Sequence, residues 1–489
     1  MVAGIALFVV ALLGAASDGA EPTPFADFGR ETGRIRPELH SSGFGPQICS
    51  CPQSAVDDLR SMGFKAARTH DWALVNKAER VCDYFHIFPL MRLDAKDPEN
   101  YVFGPTDYLL RRTREEAGLD VFFRLGASIE HSGPKVHFNT IVPEDFDKVA
   151  ETFAGTIRHY NRGWAGGFEW GIKYWEIWNE PDGVNTMWCL PDGDGDRSAK
   201  DPETKAEFER RSNRRRDLFC KFFVTCLRRI KSEFPDVKVG GPAMCKMNVP
   251  YFTALLKACK EAGIALDFIS WHHYTKDPSV VMDAIDKGRS LCDSFGFGEC
   301  ELIINEWHYL GSSFAKLRST DPAVKKRVWS GPAAHNGIDS SCFNLTLLSK
   351  FQTSKLDQAY FYGCNPIGSW GYKNDLGEKN KVYYGLKAFG DLVRGYPVLC
   401  AAGGADGVTV LAAKSEDGSR KALLVTDYRS GRRELSVDVA GVESDAECEV
   451  TVHDYKSDLE RTKARLDGGR LALPKRDAKS AAFLVEFQN

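Results

Sequence analysis

Residues 172–181 read IKYWEIWNEP, an apolar run rich in aromatic and β-branched side chains that stops at a proline. Such side chains favour strands, and a proline cannot donate to a strand ladder, so it marks the strand end. We therefore predict a strand over residues 172–179, with Glu180 emerging where the strand stops.

Seven other runs of this kind are separated by longer amphipathic stretches, which is the pattern of repeated βα units and a parallel sheet. Helices are predicted over segments such as 54–62, 144–160, 206–234 and 249–262. The eight predicted strands cover residues 39–45, 64–71, 120–126, 172–179, 237–242, 268–274, 302–307 and 358–364. Eight strands over residues 30–395 match the length of a (β/α)8 TIM barrel with insertions.

The pattern changes after Pro397. Short alternating strands, such as those at 408–412, 421–426 and 447–452, are separated by turns rich in glycine and aspartate. We predict a smaller β-sandwich over residues 397–489. The expected fold class is therefore α/β, a barrel followed by a C-terminal sandwich.

The charges of the chain nearly cancel, with 64 Lys and Arg against 67 Asp and Glu and a net charge of −3. No strong field of either sign exists to attract nucleic acid. The fourteen cysteines show no metal-binding spacing, so neither a metal nor a cofactor is expected. Two pairs, Cys292 with Cys300 and Cys220 with Cys226, are close enough in sequence to bond, and buried free thiols are the alternative.

The N-terminus carries an apolar run over residues 5–16, followed by small residues as far as Ala20. This run is too short for a membrane span and fits the apolar region and cleavage zone of a signal peptide. No Lys or Arg precedes it, which is atypical. We expect a signal peptide over residues 1–20 and a secreted or periplasmic protein without a membrane span.

Two carboxylates stand at predicted strand ends. Glu180 follows the fourth strand and Glu306 lies at the end of the seventh, after an apolar run. Functional groups of a barrel of this kind sit at the C-terminal ends of its strands. Two carboxyl groups facing each other across a cavity suffice to cleave an acetal, since one donates a proton and the other stabilises or captures the anomeric carbon. For a lone glutamate, a structural ion pair is the alternative.

The WNEP sequence at 178–181 and Glu306 resemble the two signatures of the retaining glycosidases built on this barrel. Together with the stretches 239–243 and 267–274, they make residues 35–400 similar to glycoside hydrolase family 39, which includes β-xylosidases and α-L-iduronidases. The resemblance implies a double displacement in which Glu180 is the general acid/base and Glu306 the nucleophile. It favours a β-xylosidase-like enzyme, and the long insert between the seventh and eighth predicted strands favours exo action. The alternatives are an α-L-iduronidase, an arabinosidase, an endo-glycanase or a non-catalytic glycan-binding barrel.

The same resemblance suggests two residues that bind the sugar. Asn179 corresponds to the family residue that hydrogen-bonds the 2-hydroxyl, and His272 to the histidine of its Ser-x-His-x-Tyr string. Because neighbouring side chains on a strand alternate, only one of His272 and His273 can point inward, and the family register favours His272.

Other candidates follow from chemistry. Glu306 must be ionised and needs donors, for which Arg68, His70 and Tyr274 are available at strand ends. Trp370 lies after the eighth strand and offers a flat face to a sugar ring, with core packing as the alternative. We also expect Glu176 to be structural and to face Arg68.

As the general acid, Glu180 must be protonated near neutral pH. We expect burial beside Trp178 and the charge of Glu306 to raise the pKa of Glu180.

A competing hypothesis is a metal site made of His70, His272, His273 and His308, with Glu306 as a further ligand. The sequence does not determine which sugar is the substrate. The loop at 128–139 carries His131, Lys135 and His137, which could bind the carboxylate of an acidic sugar.

Overall fold

The computed structural model of the chain describes residues 23–46, 52–70, 72–74, 80–128, 140–184, 186–363, 370–374 and 376–488. The expected signal peptide and residues 129–139 lie outside the described residues. No helix within the described ranges is long and apolar enough to cross a membrane.

Eight parallel strands, β2 to β9, close into a barrel in chain order. All eight predicted barrel strands are present, so the predicted barrel is confirmed. The strands of the chain are β1 (Phe25–Arg34), β2 (Ser41–Ser42), β3 (Ala66–Arg68), β4 (Asp120–Leu125), β5 (Tyr174–Ile177), β6 (Lys238–Met244), β7 (Phe268–Thr275), β8 (Glu301–Tyr309), β9 (Gln358–Phe361), β10 (Val398–Gly403), β11 (Val408–Lys414), β12 (Arg420–Asp427), β13 (Ser436–Ala440), β14 (Glu447–His453), β15 (Asp458–Arg465), β16 (Arg470–Ala472) and β17 (Ala481–Gln488).

Helices follow the barrel strands and cover its outer face, as expected when a parallel sheet closes on itself. Several begin at an aspartate or asparagine whose side chain accepts a backbone N–H of the first turn, as Asp145, Asp201 and Asn248 do. The α-helices of the described residues are α1 (Pro52–Met62), α2 (Tyr84–Ile87), α3 (Gly104–Arg111), α4 (Phe146–Arg162), α5 (Pro202–Glu233), α6 (Val249–Glu261), α7 (Pro278–Phe295), α8 (Phe314–Leu317), α9 (Pro322–Trp329), α10 (Ile338–Phe351) and α11 (Lys381–Gly395).

The inside of the barrel is built in layers, because alternate residues of each strand point inward. Near the N-terminal ends of the strands lies an apolar cluster made of Ala66, Phe122, Phe268, Ile303 and Tyr360. Further along β3, β4, β5, β7 and β8, the side chains are polar and buried: Arg68, Arg124, Glu176, Ser270 and Asn305. The apolar layer closes the barrel from below and leaves a charged layer under its C-terminal mouth.

The register between β7 and β8 shifts by one residue just before His272 pairs with Glu306. Such a bulge adds a residue to one strand and changes which side chains point inward. Strict alternation from Ile303 would point Asn305 inward and Glu306 outward. The bulge brings both side chains into the barrel, and Trp307 packs outward in the main core.

The second sheet has nine strands in the order β15-β14-β17-β12-β11-β10-β1-β13-β16. Along β12, Leu423 and Val425 belong to a core enclosed by this sheet, whereas Ala422 and Leu424 belong to the main core that includes the barrel helices. The sheet is thus buried on both faces, as in a sandwich, which agrees with the predicted C-terminal domain. Strand β1 of this sheet precedes the barrel in the sequence and pairs with β10 and β13. The domain boundaries at 30–395 and 397–489 stay predictions.

The cysteines that the structure describes are free thiols. Cys292, Cys300, Cys220 and Cys226 are all buried, so the described pairs follow the free-thiol alternative.

Candidate active site

The two carboxylates that the sequence selects meet over the mouth of the barrel. His272 Nδ1 lies 2.8 Å from Glu180 Oε1 and 3.3 Å from Glu306 Oε2. These two oxygens therefore lie at most about 6 Å apart, which is the sum of the two distances. One imidazole thus bridges carboxylates that are far apart in sequence.

Glu306 is 4% exposed and is held by several donors. Arg68 Nη1 donates to its Oε1 at 2.9 Å, and the Tyr274 hydroxyl donates to its Oε2 at 2.7 Å. His70 Nε2 lies 3.3 Å from Oε1. The three donors expected for Glu306 are therefore all brought to it, and charge-assisted bonds of this kind favour the ionised form.

Arg68 is fully buried and connects three strands. Its Nε donates to Glu176 Oε2 at 2.7 Å, and its Nη2 donates to Asn179 Oδ1 at 2.8 Å. Glu176 also accepts hydrogen bonds from Ser270 and Asn305, so its lone pairs are used within the barrel. Glu176 is a structural partner of Arg68, as expected. Asn179, with its oxygen bound to Arg68, has its amide nitrogen left as the donor.

Glu180 stands on a kinked segment after β5. Trp178 and Glu180 have φ of 74° and 45°, in the left-handed region that side chains other than glycine avoid. The Glu180 amide donates to the Ala243 carbonyl at 2.9 Å, and the Trp178 indole donates to the Met187 carbonyl at 2.6 Å. Each such backbone conformation costs on the order of 1–3 kcal/mol and persists only where the surroundings hold it. The kink buries Trp178 in the outer core and turns Glu180, 29% exposed, over the mouth.

The pKa values of the three central groups depend on one another. Burial lowers the pKa of His272, but the charge of Glu306 and the hydrogen bond to Glu180 outweigh burial and raise it. Burial raises the pKa of Glu180, but the hydrogen bond and charge of His272 outweigh burial and lower it. The expectation of a raised pKa for Glu180 is therefore wrong for the free protein. The reason is that His272, not only Glu306, faces this carboxyl.

For Glu306, burial raises the pKa more than the charges of His272 and Arg68 lower it, and the charge of Glu180 adds to the increase. Glu306 is thus surrounded by donors in a buried site. The pKa of His272 is thus raised and that of Glu180 lowered across a contact of 2.8 Å.

The other histidines lie in different environments. His70 and His272 face Glu306, so His272 is the inward member of its pair, as predicted. His308 is buried, and its ring stacks on that of His335 with centroids 4.5 Å apart. Among the described residues, no group of three or more His, Cys, Asp or Glu side chains is arranged to hold a metal ion.

An aromatic wall, defined by Tyr274, Phe314, Tyr362 and Trp370, stands beside the nucleophile. The Trp370 ring is half-buried, and its centroid lies 5.7 Å from that of Tyr274. Phe314 is 40% exposed and lies 5.7 Å from Tyr274 and 5.9 Å from Trp370. The binding role of Trp370 stays a prediction. Phe314 was missed by sequence reasoning, and the only available signal was an aromatic residue in the long segment after β8.

A (β/α)8 barrel with facing carboxylates after its fourth and seventh strands is the architecture of a large class of glycoside hydrolases. The family model of glycosyl hydrolases family 39 matches residues 200–288. This match confirms the resemblance to family 39 that the sequence motifs indicate. A β-xylosidase of Geobacillus stearothermophilus is 29% identical over 139 residues, 28% of this chain and 22% of that protein. The match thus spans about a fifth of that relative.

Solved structures resemble the whole chain. A glucosidase from Croceicoccus marinus has a TM-score of 0.70 at 19% identity, covering 96% of this chain and 100% of its own. An α-L-arabinofuranosidase from Thermotoga maritima has a TM-score of 0.63 at 11% identity, with the same coverages. At these identities the likeness establishes the fold.

Proposed function

We propose that the chain is a retaining glycoside hydrolase that works by double displacement. The observation that carries this proposal is that one imidazole nitrogen contacts both Glu180 and Glu306, which limits the separation of the contacted oxygens to about 6 Å. In retaining enzymes the two carboxyl groups are about 5–5.5 Å apart, and in inverting enzymes about 6.5–9.5 Å, which leaves room for a water molecule. The short separation therefore favours retention.

In the first step, Glu306 attacks the anomeric carbon, and the bond from that carbon to the leaving oxygen breaks. Glu180 donates a proton to the leaving oxygen, and a glycosyl ester forms on Glu306. Arg68 and Tyr274 hydrogen-bond to the Glu306 carboxyl group and orient it, so little reorganisation is needed during the attack. In the second step, Glu180 takes a proton from water as the water displaces the ester.

His272 links these two steps. The negative charge of Glu306 is the main reason that the pKa of His272 is raised. Formation of the ester removes this charge, so the affinity of the His272–Glu180 pair for a proton falls after the first step. The pair therefore holds a proton when an acid is needed and releases it when a base is needed.

For the substrate, we propose an exo-acting, β-xylosidase-like specificity. It is supported by the relative that carries the name β-xylosidase and by the resemblance to family 39. The long segment between β8 and β9 places Phe314 beside Tyr274 and Trp370, and an insert at this position favours a pocket that takes a chain end. A panel of aryl glycosides tests this, namely β-xyloside, α-arabinoside, β-glucoside, β-galactoside and α-iduronide. Preference for the α-iduronide or α-arabinoside would assign the site to those sugars instead.

The stereochemical outcome tests the mechanism directly. The first free sugar released by a retaining enzyme has the same anomeric configuration as the substrate, which ¹H NMR detects before mutarotation. Release of the opposite anomer would exclude the double displacement. Wild-type protein that binds the glycosides without cleaving them would favour the glycan-binding barrel.

We also propose that the protein is secreted or periplasmic, from the apolar run at residues 5–16. N-terminal sequencing of the protein isolated from its natural source should give a start near residue 20. A chain that retains Met1 would contradict export by a cleaved signal peptide.

A further inference from the structure

A cavity of about 780 Å³ lies beside the catalytic mouth and takes no part in the mechanism above. It is formed by α9, the turn that follows this helix, and a segment after β9. Both chain segments follow C-terminal strand ends, so the cavity opens on the face that carries the active site. Its described lining includes Lys325, Lys326, Trp329, Asn336 and Asn374.

The charged side chains that line this cavity are all positive. Three lysines line it, and no Asp or Glu is among its described lining residues. Lys373 is buried and paired with Asp58. Lys325 and Lys326 are exposed and form no salt bridge with a described carboxylate. In a chain of net charge −3, two uncompensated cations in one concave site therefore favour an anionic ligand.

The cavity also has the features of a sugar site. The half-buried ring of Trp329 lies in its wall and presents an apolar face. The asparagines of the lining are used within the chain, because the Asn374 amide donates to the Glu378 carboxylate and the Asn380 amide donates to the Gly371 carbonyl. The lysines and Trp329 are therefore the groups that the cavity offers to a ligand. Apolar surface with a few placed polar groups is the usual composition of a small-molecule site.

A chain of ring contacts joins the cavity to the catalytic centre. The centroid of Trp329 lies 5.4 Å from that of His335, which lies 4.7 Å from Trp370. Trp370 in turn lies 5.7 Å from Tyr274, whose hydroxyl donates to Glu306. Trp329 and Tyr274 are therefore at most about 16 Å apart, the sum of the three centroid distances. This separation is within the length of a short oligosaccharide.

We propose that this cavity is an accessory subsite for a uronic acid residue of the oligosaccharide substrate. Lys325 and Lys326 bind the sugar carboxylate, and Trp329 stacks on the sugar ring. The inference rests on the proposed glycoside hydrolase function and extends it to acidic, branched oligosaccharides. The carboxylate is recognised in the cavity and not at the cleaved bond.

Calorimetry with the Glu306→Gln protein tests the subsite without turnover. The two probes are a xylo-oligosaccharide that carries one glucuronic acid and the undecorated oligosaccharide of equal length. We expect the acidic probe to bind about three- to tenfold more tightly, as two exposed lysine–carboxylate contacts allow. The preference should vanish when Lys325→Gln and Lys326→Gln are combined, and it should shrink at high salt.

The matched control combines Lys257→Gln and Lys260→Gln, two exposed lysines on α6. It should keep the preference, and both double variants should keep the wild-type melting temperature. Equal binding of the two probes, or a preference that survives the change at Lys325 and Lys326, would overturn the subsite. An equal loss in the control would assign the preference to the general field of the protein and would also overturn it.

Turnover separates this inference from the proposed function. Wild-type protein that cleaves the undecorated probe but shows no acidic preference refutes only the subsite. Protein that shows the acidic preference but cleaves neither probe refutes the hydrolase function and leaves a glycan-binding cavity.

Discussion

Replacement of Tyr274 by phenylalanine removes one hydrogen bond from the nucleophile and leaves the ring in place. The hydroxyl donates to Glu306 Oε2 at 2.7 Å, and this bond lowers the pKa of the Glu306 carboxyl. A hydrogen bond to a charged group contributes about 1.5–3 kcal/mol, which corresponds to roughly one to two pKa units. We expect kcat/KM to fall about 10- to 100-fold at the pH optimum.

The pH profile gives the sign of the effect. Glu306 must be ionised to attack, so the acidic limb of kcat/KM follows its pKa in the free enzyme. Loss of the donor disfavours the carboxylate and raises that pKa. The acidic limb should therefore move to higher pH in Tyr274→Phe by about one to two units.

The matched control is Tyr360→Phe. The Tyr360 hydroxyl is also buried and donates at 2.7 Å, but its acceptor is Gln358 at the opposite end of the barrel. We expect this variant to lose some stability and to keep the wild-type pH profile. An unchanged acidic limb in Tyr274→Phe, or an equal shift in Tyr360→Phe, would refute the assignment of Tyr274 as the donor that tunes Glu306.

Three further changes test the same site. Glu306→Gln should reduce kcat by about 10⁴-fold or more while calorimetry still detects glycoside binding, because the nucleophile is lost but the pocket shape remains; an active variant would contradict the role of Glu306. Arg68→Met should lower the free energy of unfolding by about 3–5 kcal/mol in urea titration, because Glu176 and Glu306 lose their buried cation; a loss below about 1 kcal/mol would mean that these carboxylates are neutral or otherwise paired. The pKa of His272 is raised in the folded protein, so protonation of this side chain stabilises the fold. This stabilisation is complete below the pKa of the unfolded state, about 6.5, and is lost as the pH rises through the pKa of the folded state. Urea titrations of wild type and His272→Asn at several pH values should therefore differ most at low pH, and a difference that grows with pH would contradict the raised pKa.

The sequence alone indicated much of the fold because the hydrophobic pattern of a parallel barrel is local. Each strand is a short apolar run buried on both faces, and the proline after Glu180 ends one of them. The inward choice of His272 over His273 followed from alternation and family register. Arg68, His70 and Tyr274 were found because a buried nucleophile needs donors and these side chains stood at strand ends.

Long-range pairing decided what the local pattern could not. The strand β1 joins the C-terminal sheet across most of the chain, and no local signal encodes such a partner. Phe314 joins the aromatic wall only because the segment after β8 packs it against Tyr274 and Trp370. The pKa of Glu180 was assigned the wrong direction because the sequence shows its carboxyl partner but not the imidazole that lies between the two carboxyls.

The orientation of the catalytic pair was the last feature that only the tertiary structure decided. Strict alternation along β8 would have pointed Glu306 away from the interior, and a strand continued through Trp178 would have turned that indole inward. A register shift in β8 turns Glu306 inward, and left-handed backbone at Trp178 and Glu180 turns the Trp178 indole outward. Such irregularities cost free energy locally and are held by the packing around them, so residue types predict the carboxylates and only the folded surroundings aim them at one another.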